Sequence, residues 1–295
     1  MRACRTQSGW QFPGDHLSAS ILGMPHRLYE PAFPLRHYVD VIWRVENVGA
    51  PSSRQRIYPD GAMALVIHLR KPTATYFIDD EPHSIRVPLL AGPYSRSFQI
   101  DPSQSTAVIG VRFRPGAARV FYRVAAHELH NTDIALSDLD RAEADRLLNE
   151  ICSARGAEAQ LRAMERYLNG KLMNAATIHP VVGYGVEQLS RAGGAERVRR
   201  IQADTGLSHT RFIQLFREHV GLTPKLFCRV RRFQGLIERI QKGLPVNWAE
   251  LAVDCGYFDQ AHLIRDFRAF AGLTPLEYSR ALSRSAESVG PETAG

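Results

Sequence analysis

The chain has 295 residues, enough for one large domain or two ordinary ones. Its 44% apolar and 23% charged residues are the balance of a globular chain that can bury a core without disulfides. No run approaches the roughly 18 apolar residues of a helical membrane span, which excludes that class.

The opening residues, MRACRTQSGWQFPGDH, lack the apolar core of a secretory signal. Residues 1–25 read as a loosely attached arm. Cys4, Cys152, Cys228 and Cys255 lie no closer than 27 residues apart, so CxxC-type metal or redox motifs are absent. A reducing, cytoplasmic setting follows as the expectation. The formal charge is +7, and residues 181–280 hold 15 Lys/Arg against 10 Asp/Glu. That surplus suits an anionic partner such as nucleic acid.

From Tyr38 to Phe113 the apolar period is two. In Thr106–Phe113 the side chains of Ala107, Ile109, Val111 and Phe113 share one strand face. Further strands are predicted at Val39–Val45, Ala62–Leu69, Thr73–Ile78, Ser84–Leu90 and Arg96–Ile100. Turn signals at Tyr58-Pro59-Asp60-Gly61, Asp79-Asp80-Glu81-Pro82, Ala91-Gly92-Pro93 and Asp101-Pro102 separate them. Short strands without intervening helices predict an antiparallel sandwich or barrel. Trp43, Tyr58, Tyr76, Phe77 and Phe98 either line a pocket in it or fill its core. Arg112 and Arg114 share a face, inward toward an acidic ligand or outward to solvent. His26, His37, His68 and His83 are isolated. His127 and His130 are spaced for one helix face, a weak metal signal beside the ordinary reading of surface histidines.

After Pro115-Gly116 helices are predicted at Ala117–Ala126, Leu139–Cys152 and Glu158–Met173. Leu161, Met164 and Leu168 form a stripe that faces either the chain's own sheet or a second subunit. Thr177–Pro180 marks a boundary, giving a β-rich unit over 26–177. Residues 181–281 read as short helices throughout, and 282–295 as a frayed polar tail. The fold class is therefore two-domain α+β.

An internal repeat lies in the helical part. Gly206-Leu207-Ser208-His209-Thr210-Arg211-Phe212-Ile213-Gln214-Leu215-Phe216-Arg217 is followed by Gly221-Leu222-Thr223-Pro224. Gly256-Tyr257-Phe258-Asp259-Gln260-Ala261-His262-Leu263-Ile264-Arg265-Asp266-Phe267-Arg268 is followed by Gly272-Leu273-Thr274-Pro275. From Phe212 and Leu263 onward the two are in register. Each copy has the grammar of a helix-turn-helix. Gly206 and Gly256 turn the chain, and Ser208 and Asp259 cap the second helix. Phe212, Phe216, Leu263 and Phe267 point inward. Between the copies an apolar stripe from Leu226 to Ile240 predicts a helix of about 18 residues, about 27 Å long.

This tandem pattern resembles the DNA-binding region of the AraC/XylS family of bacterial transcription regulators over about residues 181–281. Gln202 stands where the family usually has a small Ala, and Gln214 where many members carry Arg. The resemblance implies a sequence-specific regulator of double-stranded DNA that reads two successive major-groove segments. Base reading then falls to Thr210, Arg211 and Gln214 in the first unit, and to Gln260, His262 and Arg265 in the second. Arg217, Arg229, Arg231, Arg232 and Arg268 are the candidates for phosphate contact. Activation of transcription, contact with RNA polymerase, a small-molecule effector and a homodimer through the β-rich unit are further implications. No catalytic residue, cofactor or metal is expected. Two rival functions stand beside this one: a metal-dependent or ligand-binding β-barrel enzyme fused to a DNA-binding tail, and a non-specific architectural DNA binder.

Overall fold

The computed structural model describes residues 26–46, 54–104, 107–172, 177–191, 195–242 and 247–287. The arm expected over 1–25 and most of the tail fall outside them. The N-terminal half holds two antiparallel sheets, not one closed barrel. The larger sheet contains β1 (His26–Tyr29), β2 (Val39–Glu46), β4 (Ala64–His68), β7 (Leu89–Ala91), β9 (Ala107–Phe113) and β10 (Asp133–Ala135), in the order β1-β2-β9-β4-β7-β10. The smaller contains β3 (Gln55–Ile57), β5 (Thr73–Ile78), β6 (Glu81–Arg86) and β8 (Phe98–Ile100), in the order β3-β8-β5-β6.

The strongest sequence signal, Ala107–Phe113, becomes β9, flanked by β2 and β4 with all seven residues buried. The tight turn expected at Asp79-Asp80 has both residues at positive φ, 51° and 67°. That is the geometry matching the twist of the β5–β6 hairpin. Pro82 follows on β6, an edge strand, where its missing N–H costs no ladder bond. The stretch expected as one strand over Ser84–Leu90 is two strands in different sheets, divided at Val87-Pro88.

The helix expected over Ala117–Ala126 is shorter. Only α1 (Ala118–Phe121) forms, and Tyr122 turns to extended backbone. There Phe121 and Tyr122 pack on the Phe113 ring, with centroids at 5.2 and 6.1 Å. Next come α2 (Leu136–Leu139), α3 (Arg141–Ser153) and α4 (Ala157–Leu172). The Leu161–Met164–Leu168 stripe packs on the chain's own core with Leu147, Ile151, Ile42 and Leu65, which settles its face.

The C-terminal half is all helical: α5 (Pro180–Arg191), α6 (Ala195–Asp204), α7 (His209–Val220), α8 (Pro224–Gln241), α9 (Trp248–Asp254), α10 (Gln260–Ala271) and α11 (Pro275–Glu287). Helix α11 carries regular structure past residue 281, into the segment expected to fray. Phe212, Phe216, Phe227, Phe233 and Phe267 are fully buried at the centre. Among the described residues no helix is long and apolar enough to cross a membrane.

The two halves are docked. Tyr58 lies edge-on to Tyr278 at 5.4 Å and tilted to Phe233 at 6.2 Å, so it serves the joint between the halves and not a pocket. Gln234 of α8 donates to the Pro59 carbonyl. The Ser97 amide donates to the Phe270 carbonyl at 2.8 Å, and Ser97 Oγ and Arg56 Nη1 both reach the Ala271 carbonyl at 3.1 Å. Arg112 faces inward, 6% exposed, ion-paired to Asp40 at 2.9 Å and Asp60 at 2.8 Å. Arg114 is exposed and donates to the Arg36 carbonyl.

Candidate nucleic-acid interface

The two repeat copies are two helix-turn-helix units, α6–α7 and α9–α10, held on the central helix α8. Their turns use Gly206 at φ +67° and Gly256 at φ +75°, a backbone region that a Cβ disfavours. Ser208 Oγ accepts from the Arg211 amide at 3.3 Å, and Asp259 Oδ1 from the His262 amide at 2.7 Å. Each cap satisfies one orphan N–H of the second helix and fixes where it begins.

The repeated Gly-Leu-Thr-Pro has a local physical meaning. Gly221 and Gly272 adopt positive φ, +85° and +73°, and their amides close α7 and α10 on the Arg217 and Arg268 carbonyls at 2.9 Å. This is a left-handed helix stop. Thr223 and Thr274 then cap the next helices, from the Leu226 and Glu277 amides at 3.2 Å each. Pro224 and Pro275 occupy first-turn positions where a missing N–H costs nothing. Thr274 and Glu277 form a reciprocal box, since the Glu277 carboxylate accepts from the Thr274 amide at 2.7 Å. Those bonds hold its pKa below the usual carboxylate range.

Phe212 and Phe216, and Leu263 and Phe267, are buried as their spacing requires. On the opposite side of α7, Thr210, Arg211, Gln214 and Arg217 are all exposed. On α10, Gln260, Arg265 and Arg268 are exposed. His262 differs. Its Nδ1 accepts from the Phe258 amide at 3.4 Å, its ring meets Tyr257 edge-on at 5.4 Å, and its Nε2 lies 3.9 Å from Asp266. It is tied into the turn.

The arginines of α8 are also engaged inside the protein. Arg229 makes a two-pronged bond to the buried Asp266, the shorter arm 2.8 Å, and lies 5.1 Å from the Phe270 ring. Arg232 sits 5.0 Å over the Tyr257 ring. Arg231 is turned toward the N-terminal half, where burial and the nearby Arg112 lower its pKa while Asp60 and Asp40 oppose them. These three were expected on the phosphate-facing side. All three remain partly exposed beside these internal contacts.

Gln202, where a small residue was expected, spans the first turn, its Nε2 donating to the Leu207 carbonyl at 2.7 Å. Sequence reading missed Phe258, which is 88% exposed immediately before α10. Such a large ring left in water just ahead of a polar helix face is unusual, and its place in the turn two residues after Gly256 is the only sequence cue to it. Of the two histidines weighed as metal ligands, His130 meets Ser95 Oγ at 2.8 Å.

Residues 201–281 match the family model described as a helix-turn-helix domain, and residues 27–135 match a domain of unknown function (DUF6597). An uncharacterized HTH-type transcriptional regulator of Haemophilus influenzae (strain ATCC 51907 / DSM 11121 / KW20 / Rd) is 28% identical over 80 residues. The alignment covers 26% of this chain, and the chain spans only 26% of that relative's length. Among solved structures, ToxT from Vibrio cholerae O395 gives a TM-score of 0.42 at 13% identity, covering 82% of this chain and 96% of that one. Unsaturated fatty acid-bound wild-type ToxT from V. cholerae strain SCE256 gives 0.38 at 14% identity, covering 74% and 86%. Residues 201–281 of this chain thus match a helix-turn-helix domain, and the repeat and its caps carry the resemblance to the AraC/XylS family.

Proposed function

We propose that the chain is a sequence-specific DNA-binding transcription regulator. It reads two successive major-groove segments of double-stranded DNA through α7 and α10. The observation that carries the reading is the pairing of two units capped at the matching position, by Ser208 and Asp259, each with a row of exposed polar side chains opposite its buried aromatic face. Arg211 and Arg265 present guanidinium forks to guanine edges, and Gln214 and Gln260 present amides to adenine. Thr210 completes the first row. Arg217 and Arg268, exposed near the helix ends, contact phosphates and position the helices without reading sequence. Residues 181–281 act as the DNA-binding domain and 26–177 as the sensory and dimerising one. The protein works in the cytoplasm, responds to a small effector, acts as a homodimer and engages RNA polymerase, without a catalytic step of its own.

Selection of bound duplexes from a random library at near-physiological salt tests this. Two short blocks about 10 base pairs apart are the expected motif. Arg265→Ala should lose about 1–3 kcal/mol on the selected site and little on scrambled DNA. Equal losses on both would make Arg265 a phosphate contact. No enrichment of any sequence would overturn specific reading.

A further inference from the structure

A cleft of about 690 Å³ opens between α1, α3 and α4, outside the DNA-reading helices. Arg119, Arg123, Arg146, Arg166 and Lys171 line it, with Glu150 as the one acidic group among the lining residues. Phe121 and Tyr167, both buried, form its apolar floor. Lys171 is neutralised by Glu143 and held 4.6 Å over the Tyr122 ring. Arg166 makes a long contact of 3.8 Å to Glu150. Arg123 and Arg146 have no ion pair or hydrogen bond among the described residues. Like charges gathered on a concave wall repel one another and focus a positive potential into the cavity. The size is that of a small-molecule site.

Arg119 links this cleft to DNA reading. Its Nη1 pairs with Glu218 at 2.5 Å and lies 3.2 Å from His219 Nε2, both on α7. Burial and the same guanidinium lower the pKa of His219. Glu218 supplies the carboxylate of that contact.

We propose that this cleft is the binding site of a small polyanion bearing phosphate or carboxylate groups, and that the ligand competes with Glu218 for Arg119. Arg123 and Arg146 supply the unspent charge, and guanidinium forks suit the geometry of phosphate and carboxylate oxygens. A ligand that draws Arg119 into the cleft loosens its hold on the last turn of α7. Anion binding stands independently of the function proposed above, and only the effect on DNA rests on that reading.

Calorimetry on the full chain, with pyrophosphate and with citrate as separate probes at matched ionic strength, tests the site. Saturable one-to-one binding of both indicates a general polyanion site, and binding of one alone identifies its chemistry as phosphate or carboxylate. Both results support the proposal, and binding of neither overturns it. The exposed pair Arg123→Gln/Arg146→Gln should weaken binding at least about ten-fold with unfolding unchanged, since each lost guanidinium removes charge-assisted bonds. Undiminished binding in that variant would overturn the site. Glu218→Gln should tighten binding several-fold in the parent and leave it unchanged in an Arg119→Gln background. Equal effects in the two backgrounds would overturn the competition for Arg119. If the paired variant loses DNA affinity without any probe present, as much as Arg265→Ala does, the cleft is a DNA contact and the proposal fails. DNA affinity indifferent to a probe that calorimetry shows bound would overturn the coupling to α7 while leaving the anion site standing.

Discussion

Arg265 and His262 lie three residues apart on α10, yet their side chains do different work. Arg265 is exposed, while His262 accepts the Phe258 amide and packs on Tyr257. His262→Ala removes one net hydrogen bond and a ring contact, so unfolding free energy should fall by about 1–2 kcal/mol. Its DNA affinity should drop on selected and scrambled duplexes alike, where Arg265→Ala discriminates. Selective loss in the histidine variant would restore it as a base reader. A second residue-scale effect concerns pH. Burial raises the pKa of Asp133 from 3.8 to about 6, against the bonds it accepts from Tyr94 and the Gly92 amide. Because the folded value is the higher one, this carboxyl's contribution is fully present below about pH 4 and is lost as pH rises through about 6. The loss by pH 7 is on the order of 2–3 kcal/mol. His68 has the opposite sign, its pKa lowered by burial to about 4, so its contribution is lost as pH falls from about 6.5 to 4. Urea unfolding of Asp133→Asn against the parent should show the variant gaining between pH 5 and pH 7. A difference independent of pH would refute the assignment.

At the scale of elements the glycines that end α7 and α10 make a controlled pair. Both need positive φ, and an alanine there costs about 1–2 kcal/mol in strain alone. A Cβ at Gly272 would lie 3.0 Å from Arg56 Nη1, the end of a flexible side chain. At Gly221 it would lie 2.3 Å from Pro93 Cγ and 2.8 Å from the Ala126 carbonyl, neither of which can swing aside. Gly272→Ala should therefore lose about 1–2 kcal/mol in urea unfolding, and Gly221→Ala more than about 3. Equal losses would mean that the backbone strain alone sets both. The first of these costs was legible in the sequence and the second was not. Helix stops, caps and the Pro first turn are local devices, and the repeat displayed them. The alternation of Thr73–Ile78 and Ala107–Phe113 likewise placed β5 and the core of β9. Strands β1, β3 and β10, of four, three and three residues, are too short to show a period. Helix α1 stops early because Tyr122 is needed in the core, a tertiary demand that its own segment does not state. The partners of α8's arginines were hidden for the same reason, since Arg229 finds Asp266 37 residues away.

For the whole molecule the decisive feature is the joint between the halves. The motif Tyr58-Pro59-Asp60-Gly61, read from sequence as a turn with Tyr58 lining a pocket or filling the front core, meets α8 and α11 in the other half. Gln234 reaches Pro59 across 175 positions of chain, Tyr58 closes on Phe233 and Tyr278, and Gly61 approaches Phe227 and Leu222 closely. Helix α8 carries both units, so whatever grips α8 and the ends of α7 and α10 fixes how α7 and α10 are presented. The front half grips all three, through Gln234 on α8, through Arg119 on α7 and through Ser97 on the end of α10. It follows that the halves should unfold together while the joint holds. Removing its aromatic and polar anchors in Tyr58→Ala/Gln234→Ala costs about 3–5 kcal/mol of coupling, by the lost ring burial and the orphaned Pro59 carbonyl. Scanning calorimetry should resolve one transition in the parent and two in the double variant, because each half retains its own buried core. A single transition moved to lower temperature would show that the halves share one cooperative unit beyond this joint. Two transitions already present in the parent would show that the joint never coupled them, and the front half would then have no mechanical hold on α7 and α10.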